Sequence, residues 1–201
     1  MMIREYRSTD EAGWVQCRLL SFLDCSYFDD VRKEKEIYEH PSVCYVAEDH
    51  GVIVGIIDVE YEEHAGDVCY LAGGLGAVIW HLGVLADYRR IGVADALWSR
   101  AKESLVNKGV TRFEVWTQDD AASNEWYIRQ GFVYREAYLN AYIRGTANTD
   151  AITQYIQEDK AKDILGVRCF NFEAPLTQKE ALQQICYRLH EVRLYEYSCR
   201  A

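Results

Sequence analysis

The chain has 201 residues, 49% hydrophobic and 13% aromatic, enough core-forming material for one compact domain with a small appendage and too much for a disordered tail. Its 22 basic and 32 acidic side chains leave a formal net charge of −10, which excludes a nucleic-acid groove as the main surface, because phosphate backbones need a basic one. No stretch approaches the roughly 18 consecutive apolar residues of a membrane span, so no membrane partner is expected. The acidic field suits solubility and would also draw cationic partners such as amines. The opening Met-Met-Ile-Arg-Glu-Tyr carries no apolar signal core. Seven cysteines (17, 25, 44, 69, 169, 186 and 199) lack C-x-x-C spacing, so reduced, mostly buried thiols in a cytoplasmic protein are expected, with neither a disulfide framework nor a metal site.

Ile3 to Tyr6 reads as a short strand. Ser8 and Glu11 form a capping-box pattern that starts a helix running to about Ser21. Asp29 to His40 reads as a second, strongly charged helix stopped by Pro41. Val43–Glu48, the Asp49-His50-Gly51 turn and Val52–Glu62 form a hairpin. In its second strand Ile57, Val59 and Tyr61 alternate with Asp58, Glu60 and Glu62. A glycine-rich stretch (Gly73, Gly74, Gly76) leads into an apolar strand from Ala77 to Val84. Beyond Arg89-Arg90-Ile91-Gly92, an amphipathic helix places Leu97, Ala101 and Leu105 on one face and ends at Gly109. Arg112–Thr117 (strand), Ala121–Gln130 (helix) and Phe132–Ile143 (strand) follow. After a linker at Gly145–Asp150, the pattern gives helix 151–163, strand 167–173, helix 177–190 with Thr177 and Glu180 as a capping box, and strand 192–198. Strands alternating with helices indicate an α/β or α+β sheet covered on its faces.

The chemistry concentrates at residues 82–98, an apolar strand, a turn and a helix start. A helix start exposes unpaired N–H groups at the positive end of the dipole, which together form an anion site. Gly92 has no side chain to block a ligand, Ala94 is small, and Arg89 and Arg90 add positive charge. On physical grounds alone, an anion-binding turn and an ordinary strand-turn-helix with solvated arginines are equally good readings. Gly73-Gly74-Leu75-Gly76 is not a P-loop, since no Lys-Ser/Thr follows and no helix opens there, and the turn at 89–94 is not a dinucleotide fingerprint, having one glycine where that needs three.

Leu82-x-Val84-x-x-x-x-Arg89-x-x-Gly92-x-Ala94 resembles the acetyl-CoA-binding motif of the GNAT N-acetyltransferase superfamily, with its R/Q-x-x-G-x-G/A core. Downstream, Trp126-Tyr127-x-x-x-Gly131-Phe132 resembles the second signature of that family, and the two occur in the expected order and separation. The resemblance covers about residues 2–143. It implies a mixed, mostly antiparallel twisted sheet flanked by helices. Residues 1–144 would form the acetyl-CoA-binding domain and 145–201 a helix-strand-helix-strand extension serving as lid, sheet extension or homodimer arm.

The implied activity is transfer of an acetyl group from acetyl-CoA to a primary amine in a ternary complex, without a protein nucleophile. The backbone N–H groups of Arg90, Gly92 and Ala94 would hold the pyrophosphate, with Arg89 beside them and Ile91, Val93 and Asp95 lining the turn. Main-chain groups of Leu82 and Val84 would pair with the pantetheine arm, the Val84 N–H also facing the oxyanion. Tyr127 would protonate, or donate a hydrogen bond to, the departing thiolate. For the proton acceptor the sequence offers His81, where relatives often carry an acid, and Glu60 on the acidic strand face. Asp120 and Ala86 stand where relatives often have asparagine and proline. Carboxylates and aromatics across Asp24–His40 suit a cationic amine. A non-catalytic acyl-CoA-binding regulator that keeps the turn is the alternative.

Overall fold

The computed structural model describes residues 1–144 and 169–199. In chain order these form β1 (Met2–Glu5), α1 (Glu11–Phe22), β2 (Ser42–Asp49), β3 (Val52–Tyr61), β4 (Gly76–Val84), α2 (Val93–Val106), β5 (Arg112–Thr117), α3 (Ala121–Arg129), β6 (Val133–Arg144), β7 (Cys169–Ala174), α4 (Lys179–Gln183) and β8 (Arg188–Ser198). All eight strands share one sheet in the order β1-β2-β3-β4-β5-β8-β6-β7. Every neighbouring pair is antiparallel except β4 with β5.

That parallel pair is short: only Gly76–Val78 match Arg112–Glu114. Beyond it β4 continues alone along one edge while β5 pairs with β8 as far as Thr117. A register shift lies between Asp58 and Val59, so that Asp58 pairs with His81 and Val59 with Ile79, leaving Trp80 as an extra residue in β4. Such a bulge bends a strand and increases its twist. The two strands therefore diverge toward their C-terminal ends and leave a gap in the middle of the sheet.

One face of the sheet is covered by α2. Leu97, Ala101 and Leu105 are fully buried, as their four-residue spacing predicts, and join Val93 and Trp98 against Ile57, Val59, Ile79 and Phe113. Each fully buried leucine contributes about 1.5–3 kcal/mol of transfer free energy. On the opposite face, α1 packs Trp14 and Cys17 against Val46, Ile53 and Ile56. Gly83 allows α1 to approach β4 closely, since a Cβ there would lie 2.4 Å from Ser21 Oγ.

Three expectations need correction. Residues 29–40 are not a helix: beyond the turns up to Asp29 the segment has no regular secondary structure. Tertiary bonds win over local propensity there, since Lys35 pairs with Asp58, Tyr38 donates to Asp58 and the His40 N–H donates to Glu60. A helix would also have had little to bury, as Val31 and Ile37 face solvent. The helix expected at 177–190 is cut to a short helical turn and α4, because from Arg188 onward the chain pairs with β6. Neither expected capping box forms as read. The Arg7 N–H instead donates to Asp10 Oδ2, and α4 has no side-chain cap. The expected linker 145–150 and helix 151–163 lie outside the described residues.

The C-terminal strands are not an arm set apart from the sheet. β7 extends it beyond β6, and β8 is inserted between β5 and β6. All seven cysteines are free; Cys17 and Cys69 are buried, Cys169 is exposed and the others are half-buried. Gly83→Ala is expected to cost about 1–3 kcal/mol by overpacking against Ser21, with part recovered in the double variant carrying Ser21→Ala. Urea unfolding of the two variants checks this, and an unchanged midpoint for Gly83→Ala would remove the close approach as a constraint.

Candidate active site

Three elements meet at the gap: the C-terminal edge of β4, the start of α2, and the turn from β5 into α3. The Leu85 N–H donates to Val54 O, which fixes the phase of the β3–β4 ladder. The alternation of an antiparallel pair then turns the main-chain groups of His81 and Gly83 toward β3 and those of Leu82 and Val84 toward the open edge. Arg89 Nε donates to Val84 O at 3.0 Å, so at Val84 the N–H is the group left on that edge.

The following turn is built for donors. Arg90 and Gly92 have φ of 61° and 88°, and Gly92 is the N-cap of α2. Among the described residues, none of the backbone N–H groups from Arg90 to Asp95 donates a hydrogen bond. A Cβ placed on Gly92 would meet no atom within 4 Å, so the space beside this donor row is open. Two surface hollows, of about 610 and 710 Å³, lie elsewhere and are not lined by this turn.

The side chains of the turn have several parts. Val93 is buried in the core and Ile91 is exposed. Asp95 ties the two helices together, accepting from Trp126 Nε1 at 2.9 Å and Gln130 Nε2 at 2.7 Å. Arg89 does not reach outward. Its guanidinium grips Asp24 at 2.6 and 2.9 Å and Ser21 O at 2.8 Å, holding the Asp24 carboxyl below the usual carboxylate range. Arg89 therefore fastens the end of β4 to the end of α1.

Residues 24–30 cross the gap as a strap with anchors on both sides. Besides Asp24, the Ser26 N–H donates to Asp120, the Gln118 N–H donates to the Tyr27 hydroxyl, Asp29 pairs with Arg188 on β8, and Asp30 pairs with Arg18 on α1. Asp120 thus closes this strap. Asn124 stiffens the β5–α3 turn beneath it, donating to Gln118 O and Asp120 O and accepting from Tyr195 and Arg193. Three of the six acids across Asp24–His40, namely Asp24, Asp29 and Asp30, are neutralised by these internal partners.

Tyr127 is buried between Phe132 and Tyr195, on the α2 side of the sheet with Leu82 and Val84. Burial, with the nearby Tyr27 phenol, pushes its hydroxyl well above the ordinary value of 10. It stays protonated across the physiological range. His81 and Glu60 lie on the α1 side and both have protein partners. Glu60 accepts from the His40 N–H at 2.8 Å and Trp80 Nε1 at 2.7 Å. His81 Nε2 lies 3.0 Å from Glu36, and Arg18 Nε points at Nδ1 at 3.5 Å, which places the proton on Nε2. Asp58 and Glu62, expected on an open acidic face, are likewise buried under several donors each.

Sequence reasoning missed Arg18, Gln118, Asn124 and the strap as a tethered segment, and took Tyr27 only as one of the aromatics across Asp24–His40. Arg18 alone left a signal, a cation four residues after Trp14 on the apolar side of α1.

Residues 3–132 match the family model described as the acetyltransferase (GNAT) family. The chain belongs to the GNAT acetyltransferase family. This acetyltransferase is 31% identical over 124 residues to an acetyltransferase of Pectobacterium atrosepticum, covering 60% of this chain and 78% of that one. Its fold is shared with a GNAT acetyltransferase of Streptococcus pneumoniae (TM-score 0.59, 13% identity, 99% of both chains). It is also shared with a putative streptothricin acetyltransferase of Bacillus anthracis in complex with acetyl coenzyme A (TM-score 0.55, 13% identity, 98% of both chains). The expected family and mostly antiparallel α/β fold are thus borne out. Among the described residues of this acetyltransferase, no helix is long and apolar enough to cross a membrane.

Burial, aided by the Arg18 charge, holds the His81 imidazole below its ordinary value of 6.5 despite the pull of Asp58 and Glu36. The unfolded chain then binds a proton that the folded site refuses, so this contribution to stability is full above the ordinary value and declines as pH falls through it. Between about pH 7.5 and about pH 5, wild-type unfolding free energy should drop more than that of His81→Gln. Parallel slopes in urea titrations would show that His81 contributes nothing.

Proposed function

We propose that this acetyltransferase moves an acetyl group from acetyl-CoA to a primary amine of a small molecule or peptide, by direct transfer in a ternary complex. The carrying observation is the row of free N–H groups from Arg90 to Asp95 at the mouth of the β4–β5 gap. A pyrophosphate needs such a row and open space at its centre, and Gly92 provides that space. The N–H groups of Arg90, Gly92 and Ala94 would hold the pyrophosphate. The main-chain groups of Leu82 and the Val84 N–H would receive the amides of the pantetheine arm on the open edge. Bound acetyl-CoA supplies the activated acyl group; the remaining tasks belong to the chain.

Arg89 acts here through structure, keeping the end of β4 and the strap in place rather than touching phosphate. Tyr127 holds its proton too tightly to be an easy acid, which favours a hydrogen bond to the departing sulfur over full proton transfer. Direct transfer is supported by the thiols. Burial pushes Cys17 up to about 12 and Cys69 also upward, so neither offers a thiolate at neutral pH. For the acceptor, the strap sets the chemistry. Its paired carboxylates leave less unneutralised charge for a cation than the sequence suggests, and the overall charge of −10 supplies the remaining attraction. A strand-paired homodimer would use the outer edges of β1 or β7, since β8 is paired on both sides.

Calorimetric titration should show acetyl-CoA and free CoA binding while ATP does not. Absence of acetyl-CoA binding at high micromolar concentration would remove the donor row as its site. Tyr127→Phe should lower turnover about 10²-fold or more with little change in acetyl-CoA affinity. Unchanged turnover would take Tyr127 out of the reaction.

A further inference from the structure

Four buried side-chain polar atoms among the described residues have no hydrogen-bond partner: Trp98 Nε1, Gln118 Oε1, Arg188 Nε and His190 Nε2. Buried polar atoms are nearly always paired, so each orphan calls for a cause. Three of the four belong to one wall, where the β5–α3 turn meets the first residues of β8. His190 Nδ1 lies 2.8 Å from Asp119 Oδ1, Gln118 is the next residue along that turn, and Arg188 and His190 sit two apart in β8 with the Tyr142 ring against both. The wall stands at the diverging end of β5, and the strap is tied to it through Tyr27 and Asp29.

The pairing settles the state of the ring. An ionised carboxylate only accepts, so Asp119 fixes the proton of a neutral imidazole on Nδ1 and leaves a lone pair on Nε2. That lone pair has no protein partner, unlike either nitrogen of His81. The other groups near the ring are the Tyr142 phenol on β6 and the Arg188 guanidinium on β8, the latter paired with Asp29.

We propose that His190 and Gln118 form the subsite that receives the acceptor amine, with His190 Nε2 as the proton acceptor and Asp119 as its positioning residue. The inference rests on the amine-acetylation reading above. The ligand class is a primary amine, an N–H donor of the kind that the orphan acceptors His190 Nε2 and Gln118 Oε1 lack. In the transfer, the N–C bond to the acetyl carbon forms and the C–S bond breaks. The proton lost by nitrogen passes to His190 Nε2 and from there to solvent. The thiolate takes one proton from solvent while hydrogen-bonded to Tyr127, so that amide and thiol are the net products.

The test uses the full chain labelled with ¹⁵N-histidine, with His190→Gln identifying the resonances and ethylamine as the probe. The neutral ring should be protonated on Nδ1. Ethylammonium should shift the Nε2 signal saturably, because its N–H donates to the Nε2 lone pair. Asp119→Ala should let part of the neutral ring carry its proton on Nε2 instead of Nδ1, because Asp119 is what fixes the tautomer. A ring protonated on Nε2, or an Nε2 signal that ethylamine leaves unmoved, overturns the proposal. Where ethylamine supports thiol release from acetyl-CoA, His190→Gln should slow it about 10²-fold or more with acetyl-CoA affinity retained, and an unchanged rate likewise overturns it. The nuclear magnetic resonance arm needs no acetyl-CoA, so failure of the cofactor reading would show separately, as lost acetyl-CoA binding in the wild-type chain.

Discussion

Three parallel residue pairs join β4 to β5, and the brevity of that junction governs the rest of the molecule. A parallel ladder that stops after Val78 and Glu114 leaves the facing main-chain edges of β4 and β5 unpaired in the middle of the sheet. Unpaired N–H and C=O groups in a sheet interior are costly unless water or a ligand meets them. The fold therefore places an open polar edge at its centre, and the candidate site residues gather around it.

Two devices hold the gap open. On the β4 side, the extra residue Trp80 bends the strand, and Arg89 clamps its end to α1 and Asp24. On the β5 side, β8 takes over the pairing that β4 gives up, and Asn124 locks the following turn. The strap at 24–30 then links the two walls through ion pairs and backbone bonds rather than an apolar contact. Polar tethers of this kind, exposed in part to water, are individually weak. They suit a cover that must admit one ligand from the solvent and release another.

The two faces at the gap differ in character. Toward α2, Tyr127 and its aromatic neighbours form a dry wall in which a phenol keeps its proton. Toward α1, Asp58, Glu60 and His81 form a buried polar layer in which each group already has partners. Among the described residues, three of the four unmatched buried atoms lie on the third wall, at Gln118, Arg188 and His190. On the proposed reading, this asymmetry places a donor on the leaving-group side and a free acceptor on the amine side.

The sequence by itself determined what local physics encodes. The 3.6-residue spacing of Leu97, Ala101 and Leu105 set α2 and the alternation in 52–62 set β3, each through contacts within one element, whereas the residues around Gly92 read equally well as an anion-binding turn and as an ordinary strand-turn-helix. It did not determine what depends on partners far along the chain. The segment 29–40 reads as a charged helix until Asp58, Glu60 and Arg18 pull it out straight, and the first residues of β8 read as helix until β6 pairs with them. For the same reason the strap and the His190–Asp119 pair left no mark in any local pattern, since 71 residues separate those two side chains in sequence. Only tertiary structure decided which charges are already paired and which buried atoms are left without a partner. Hydrogen bonding is a property of completed contacts, whereas periodicity is a property of a single element.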